Sequence, residues 1–235
     1  MAVFDGAEAR LPTGGATAGW WVCCLHFFRF SAAYWGGDLD TARSEARQAL
    51  ESARPLGSPS MLATALLYHA LAPSEHDPEA TLAAVEEGIR LVQAGAANSV
   101  YSTMLLTAAS LRSASGDTVG AARHLRVGVE HEGRVGASRP MVAALVALGA
   151  VVLAGRPDGL DSAATLSGAV SGPVFGPIGL FTLGAQQSLY DACVDEVART
   201  LGPSAYASAH ERGAAMTYDE IVAYTLDQLD CLIDL

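Results

Sequence analysis

Four aspartates, Asp38, Asp77, Asp117 and Asp158, stand 39, 40 and 41 residues apart, and the same stripe of small or apolar side chains follows each. At offsets of 4, 8, 11 and 12 residues lie Ala42, Ala46, Ala49 and Leu50; then Thr81, Val85, Gly88 and Ile89; then Ala121, Leu125, Gly128 and Val129; and last Ser162, Leu166, Ala169 and Val170. Steps of three and four trace one face of an α-helix. Each aspartate therefore stands where a helix begins, and that helix buries a narrow seam. A period near 40 residues is the mark of a helical-hairpin array, in which each unit hides its apolar face against the next.

The spacing predicts an all-α chain in four parts: a lead-in at 1–16, hairpin repeats over 17–171, a Gly/Pro linker at 172–182 and a helical cap over 183–235. The hairpins pair helix 17–35 with 39–54, 59–71 with 78–94, 98–114 with 118–133 and 139–154 with 160–171. Short turns such as Gly36-Gly37-Asp38 and Gly116-Asp117 force the two helices of a hairpin antiparallel. Four aspartates at helix starts are read as N-caps that satisfy orphan amides, rather than as a line of acidic ligands. The run from Ser171 to Gly179 holds three glycines and two prolines and cannot continue a helix. Helices resume over 183–201, 203–212 and 217–233, the last opened by Thr217 with Glu220 three residues on, a capping box.

Composition removes several classes of function. A formal charge of −11 offers no positive stripe for a phosphate backbone, so direct nucleic-acid binding is not expected. All 14 basic residues are arginine, and without lysine there is no Walker-type phosphate loop, protein-kinase site or pyridoxal Schiff base. The longest uncharged apolar run, Met141 to Ala154, falls short of the roughly 20 residues that span a bilayer. With no basic leader near the N-terminus, the chain reads as soluble and cytoplasmic, and its four cysteines as reduced thiols in helices.

No catalytic, cofactor-binding or metal-ligating residue is assigned. Cys23 and His26 lie three apart, but a pair without two further ligands does not make a metal site. His124 and His131 share a face with Glu130 and Glu132, a pattern read as a solvated polar surface. There is no Gly-x-Ser-x-Gly nucleophile elbow, and the glycines at 172–179 lack the lysine of a phosphate loop. The first helix is the exception. Trp20, Trp21, Cys23, Cys24, Leu25, Phe27, Phe28, Phe30 and Tyr34 surround it, leaving only the line through Val22, His26, Arg29 and Ala33 partly polar. One neighbouring hairpin cannot cover such a helix, so Trp20, Trp21, Phe27 and Phe28 form the candidate interface for a protein partner or for self-association. Residues 1–16 folding back over it would be the alternative cover.

The second helices, with small residues at fixed offsets and Pro55 closing the first, resemble stretched tetratricopeptide repeats, which implies hairpins stacked as a superhelix with a C-terminal cap. A more specific likeness covers residues 160–226. Ala163-Ala164-Thr165-Leu166-Ser167-Gly168-Ala169, then Tyr190, Val194, Val197 and Leu201-Gly202, then Tyr206, Ala209 and Gly213, and finally Met216-Thr217-Tyr218-Asp219-Glu220-Ile221-Val222 resemble the tail of bacterial LuxR-, AfsR- and MalT-type regulators and of cyclase-linked signalling ATPases. That family commonly extends the first of these helices with an acidic residue and further turns, whereas Ser171 and the Gly/Pro segment follow here. The resemblance implies a non-enzymatic sensor or protein-interaction module in signalling and transcription regulation, able to take a protein or small effector, without a nucleotide-binding or DNA-binding part. An inactive remnant of a split regulator gene is the alternative, and a helical enzyme with an unrecognised site the third.

Overall fold

The computed structural model describes residues 15–72, 78–96, 99–136, 138–176 and 187–234. Among these residues there are eleven α-helices, two single-turn 3-10 helices and no strand, as the 3.6-residue periodicity predicts. The chain divides into two compact units, residues 1–107 and 108–235. The division falls inside a helix, and the three C-terminal helices share a unit with the helices before the Gly/Pro segment.

The first unit holds α1 (Gly15–Gly36), α2 (Leu39–Ala53), α3 (Pro59–Leu71), α4 (Pro78–Gln93) and the start of α5 (Tyr101–Ala114). Gly37, at φ +79°, turns α1 into α2, and Asp38 accepts a hydrogen bond from the Thr41 amide at 3.1 Å. α1 packs on α2, α2 on α3, and α3 on α4. Phe30, stacked on Tyr68 with ring centroids 4.5 Å apart, sits among Ala33, Ala42, Ala46 and Ala72. A second cluster gathers Cys23, Ala49, Ala53 and Ala65 under Phe27 and Leu56. Alanines on α2 let α1 approach closely, which is the physical content of the small-residue stripe. α5 begins at Tyr101 rather than at 98, behind a turn at 99–100.

The second unit holds the end of α5, then α6 (Thr118–Val135), α7 (Arg139–Ala154), α8 (Leu160–Ser171), α9 (Gln187–Leu201), α10 (Pro203–Ala214) and α11 (Tyr218–Ile233). α7 is the apolar run, and it is the core: α6, α8, α9 and α11 all pack on it, and Val142 to Ala150 are buried without a break. A helix apolar on every side is stable in water only when surrounded in this way. α11 lies mainly on α6, where Arg126 pairs with Asp230 at 2.5 Å, and α10 lies on α8.

The interface of α8 with α10 is made of backbone. Gly168 faces the His210 carbonyl and Gly213 faces the Thr165 carbonyl, so closely that neither position has room for a Cβ. Ser171 Oγ, 3.0 Å from His210 Nε2, ties the end of α8 to the same helix.

Thirteen of the sixteen stripe residues are buried, and Leu50, Thr81 and Ser162 are half-buried, so the inward face of each second helix is the expected one. The aspartates are less uniform. Asp38 and Asp117 are N-caps, Asp117 accepting from the Gly120 amide at 2.8 Å. Asp77 lies outside the described residues. Asp158 is not a cap: Pro157 opens a 3-10 turn over Pro157–Gly159, α8 starts one residue later, and Gly159 occupies the cap position. The Asp158 carboxylate instead takes both Arg156 nitrogens, at 2.9 and 2.6 Å. Thr217 and Glu220 form the expected capping box. Ser58 and Ser138 cap α3 and α7, each followed by a proline in the first turn.

Candidate functional site

α1 and α7 are both predominantly apolar but have opposite surroundings. α7 is enclosed by four helices, whereas the helices that pack on α1 are α2 and α3. α1 also rests on the short turn Arg54–Leu56, where Gly19 lies under the Leu56 side chain. Among the described residues one face of α1 is left open, and His26 and Arg29 do not lie on it.

The line through His26, Arg29 and Ala33 faces inward, with His26 5%, Arg29 8% and Ala33 3% exposed. His26 Nδ1 meets Glu45 Oε2 of α2 at 2.7 Å, both side chains buried. Burying two such groups is tolerable because each supplies the other's hydrogen bond. The Cys23 thiol, one turn earlier, donates to the Ala49 carbonyl at 3.7 Å, and burial together with the neighbouring Cys24 pushes it up to about 12. Cys23 and His26 are thus both engaged with α2, and no cluster of three or more His, Cys, Asp or Glu side chains able to hold a metal occurs among the described residues.

With His26 and Arg29 inside, four of the aromatic rings are outside. Trp20 is 43%, Trp21 45%, Phe28 63% and Trp35 79% exposed. Trp20 and Trp21 meet edge to face, centroids 4.8 Å apart. Trp21, Phe28 and Trp35 repeat every seven residues, with half-buried Cys24 and Ser31 between them, so the open face has the a/d spacing of a helix-pairing seam. Arg29 is the one residue of α1 with a full charge, and it is buried, so the seam is uncharged.

Phe27 does not belong to this face. Its half-buried ring packs edge-on against Tyr68 of α3 at 5.1 Å and against the cluster of Cys23, Ala49, Ala53 and Ala65, so it faces the core. Trp35 takes its place. The interval of seven from Phe28 was the signal that identifies Trp35 in the sequence. The lead-in that could cover α1 lies, up to residue 14, outside the described residues.

Some of the other polar and nucleophilic groups have structural partners. His124 Nδ1 lies 2.9 Å from the Gly120 carbonyl, one turn back on α6, and of the four polar residues there His124, Glu130 and His131 are half-buried and Glu132 is buried, so that face is only partly solvated. Ser171 and His210 form a serine–histidine hydrogen bond that the sequence reading missed. The same Ser171 hydroxyl is within reach of the Ser167 and Gly168 carbonyls, which ties it to the end of its own helix.

One deep concavity lies wholly in the second unit, between the end of α5, the middle of α7 and the start of α9. Its volume is about 450 Å³. Ala147, Leu148 and Val151 form its floor, with Leu111 and Ala114 on the α5 side. Leu189, 68% exposed, and Tyr190, 7% exposed, form the α9 side. Burial, with Tyr206, Cys193 and Asp191 nearby, holds the Tyr190 phenol well above its ordinary range, so it stays neutral. Among the described residues, no charged side chain lines the space.

No protein-family model, curated protein or solved structure matches this chain. Among the described residues, no helix is long and apolar enough to cross a membrane.

Proposed function

We propose that this chain is a non-enzymatic, tetratricopeptide-like interaction module acting in bacterial signalling in the cytoplasm, and that it assembles with a second copy of itself through the open face of α1. The observation that carries the reading is the uncharged seam of Trp20, Trp21, Phe28 and Trp35. The likeness of residues 160–226 to the sensor tails of LuxR-, AfsR- and MalT-type regulators supports a role in sensing or assembly.

Area and charge both favour a second copy as the occupant. An aromatic side chain buries about 150–250 Å² when fully covered, so the exposed parts of these four leave about 500 Å² per chain. Two such faces together remove about 1,000 Å² from water, the lower bound for a specific interface. Two chains of charge −11 repel over most of their surfaces, but contact along this strip desolvates no charge.

Sedimentation equilibrium of the intact chain, beside a Trp21→Ser/Phe28→Ser variant, tests the reading. The expected result is a dimer for the natural chain and a monomer for the variant, with the same far-ultraviolet circular dichroism. A natural chain that stays monomeric at the highest soluble concentration refutes self-assembly through α1.

A further inference from the structure

We propose that the cavity between α5, α7 and α9 is a binding site for a small, uncharged, largely hydrocarbon molecule. It stands in the second unit and does not depend on the α1 seam. Its volume of about 450 Å³ lies within the range of small-molecule pockets, and it is walled by three helices rather than drawn out as a strip. It is also deep: Ala147 and Leu148 at its floor are 1% and 8% exposed, on the central helix of the unit. Helices of a close-packed interior do not leave a space of this size between them as a matter of course.

The lining decides the ligand class. With no carboxylate, guanidinium or imidazole among the described residues facing the space, an ionic ligand would lose its hydration without a counter-charge, whereas an apolar one gains by leaving water. The Ser113 hydroxyl at the α5 wall gives room for one hydroxyl or carbonyl on an otherwise hydrocarbon frame. Leu189, largely exposed at the open side, is the residue such a ligand would cover.

The test uses N-phenyl-1-naphthylamine, an uncharged probe whose fluorescence rises on leaving water, titrated into the intact chain. Saturable binding of one equivalent per chain is expected. Ala114→Phe fills the space from an exposed helix end, and Leu189→Asp sets a charge at its mouth; both positions are solvent-accessible, so folding is preserved. Each variant is expected to weaken binding by roughly tenfold or more, since the apolar area available to the probe is gone. The Trp21→Ser/Phe28→Ser variant is expected to bind like the natural chain. Probe binding that is unsaturable, that survives both pocket variants, or that disappears only with the α1 variant overturns the proposal, and the last outcome would leave the α1 reading intact.

Discussion

Gly213→Ala adds one methyl group where α10 meets α8, and its effect follows from the geometry. An ideal Cβ at Gly213 would stand 2.8 Å from the Thr165 carbonyl carbon and 2.8 Å from the Ala169 nitrogen, and closer still to the Thr165 oxygen, where ordinary contact begins at 3.4 Å. Every one of these atoms is backbone, so no side-chain rotation relieves the clash and the helices must separate. A gap of about 0.5–1 Å forfeits a quarter to a half of the dispersion across the interface. Overpacking of this kind costs about 1–3 kcal/mol and more when nothing can yield. Alanine returns about 0.5–1 kcal/mol through its higher helix propensity. The net expectation is a loss of about 2 kcal/mol. Gly149→Ala is the matched control. It also lies inside a helix, but its Cβ would meet only Leu166 at 3.8 Å and Thr225 at 3.9 Å, ordinary contacts. There the propensity gain stands unopposed, and stabilisation of about 0.5–1 kcal/mol is expected. Urea unfolding followed by circular dichroism measures both. Equal stability of Gly213→Ala and the natural chain, or equal effects of the two substitutions, would refute the backbone-contact account of this interface.

Three further predictions concern other parts of the chain. Ala46 is fully buried beside Phe30, so Ala46→Glu places an unpaired carboxylate in the α1–α2 seam; a loss of about 3–5 kcal/mol is expected, and natural-like melting would show that the inward register is wrong. His26→Leu removes the imidazole from a buried Glu45 oxygen, which is expected to cost about 2 kcal/mol in urea unfolding; a change of no more than a few tenths would mean that the pair contributes nothing to stability. Asp117 has its carboxyl held below the ordinary range, first by the Gly120 amide and then by Arg112, and Asp38 and Glu220 are lowered by Thr41 and Thr217. A carboxyl lowered in the folded state adds stability above its unfolded value, near pH 4, and that stability is lost as pH falls through the folded value. The urea midpoint should therefore fall below about pH 4, less steeply in Asp117→Asn, which keeps the cap but cannot titrate; an unchanged acid slope in that variant would count against it.

The sequence by itself determined what is local. Helix starts follow from Asp38, Asp117 and the Thr217–Glu220 box, and the inward stripe follows from residues three and four apart, because capping and periodicity are settled within one or two turns. Even there, one inserted turn at Pro157 was enough to move Asp158 from a cap to a salt bridge with Arg156. Partners distant in the chain were beyond it. His26 and Arg29 read as the polar side of α1, yet Glu45, nineteen residues on, draws His26 inward and leaves the tryptophans outside. Gly168 and Gly213 were legible as residues of two helices, but not as the places where Gly168 meets the His210 backbone and Gly213 the Thr165 backbone. The cavity beside Leu189 was invisible, since its walls come from three helices. α1 and α7 state the rule most directly: both are predominantly apolar and both form helices, and the number of neighbours that tertiary structure supplies among the described residues decides which one becomes core and which one keeps an open face.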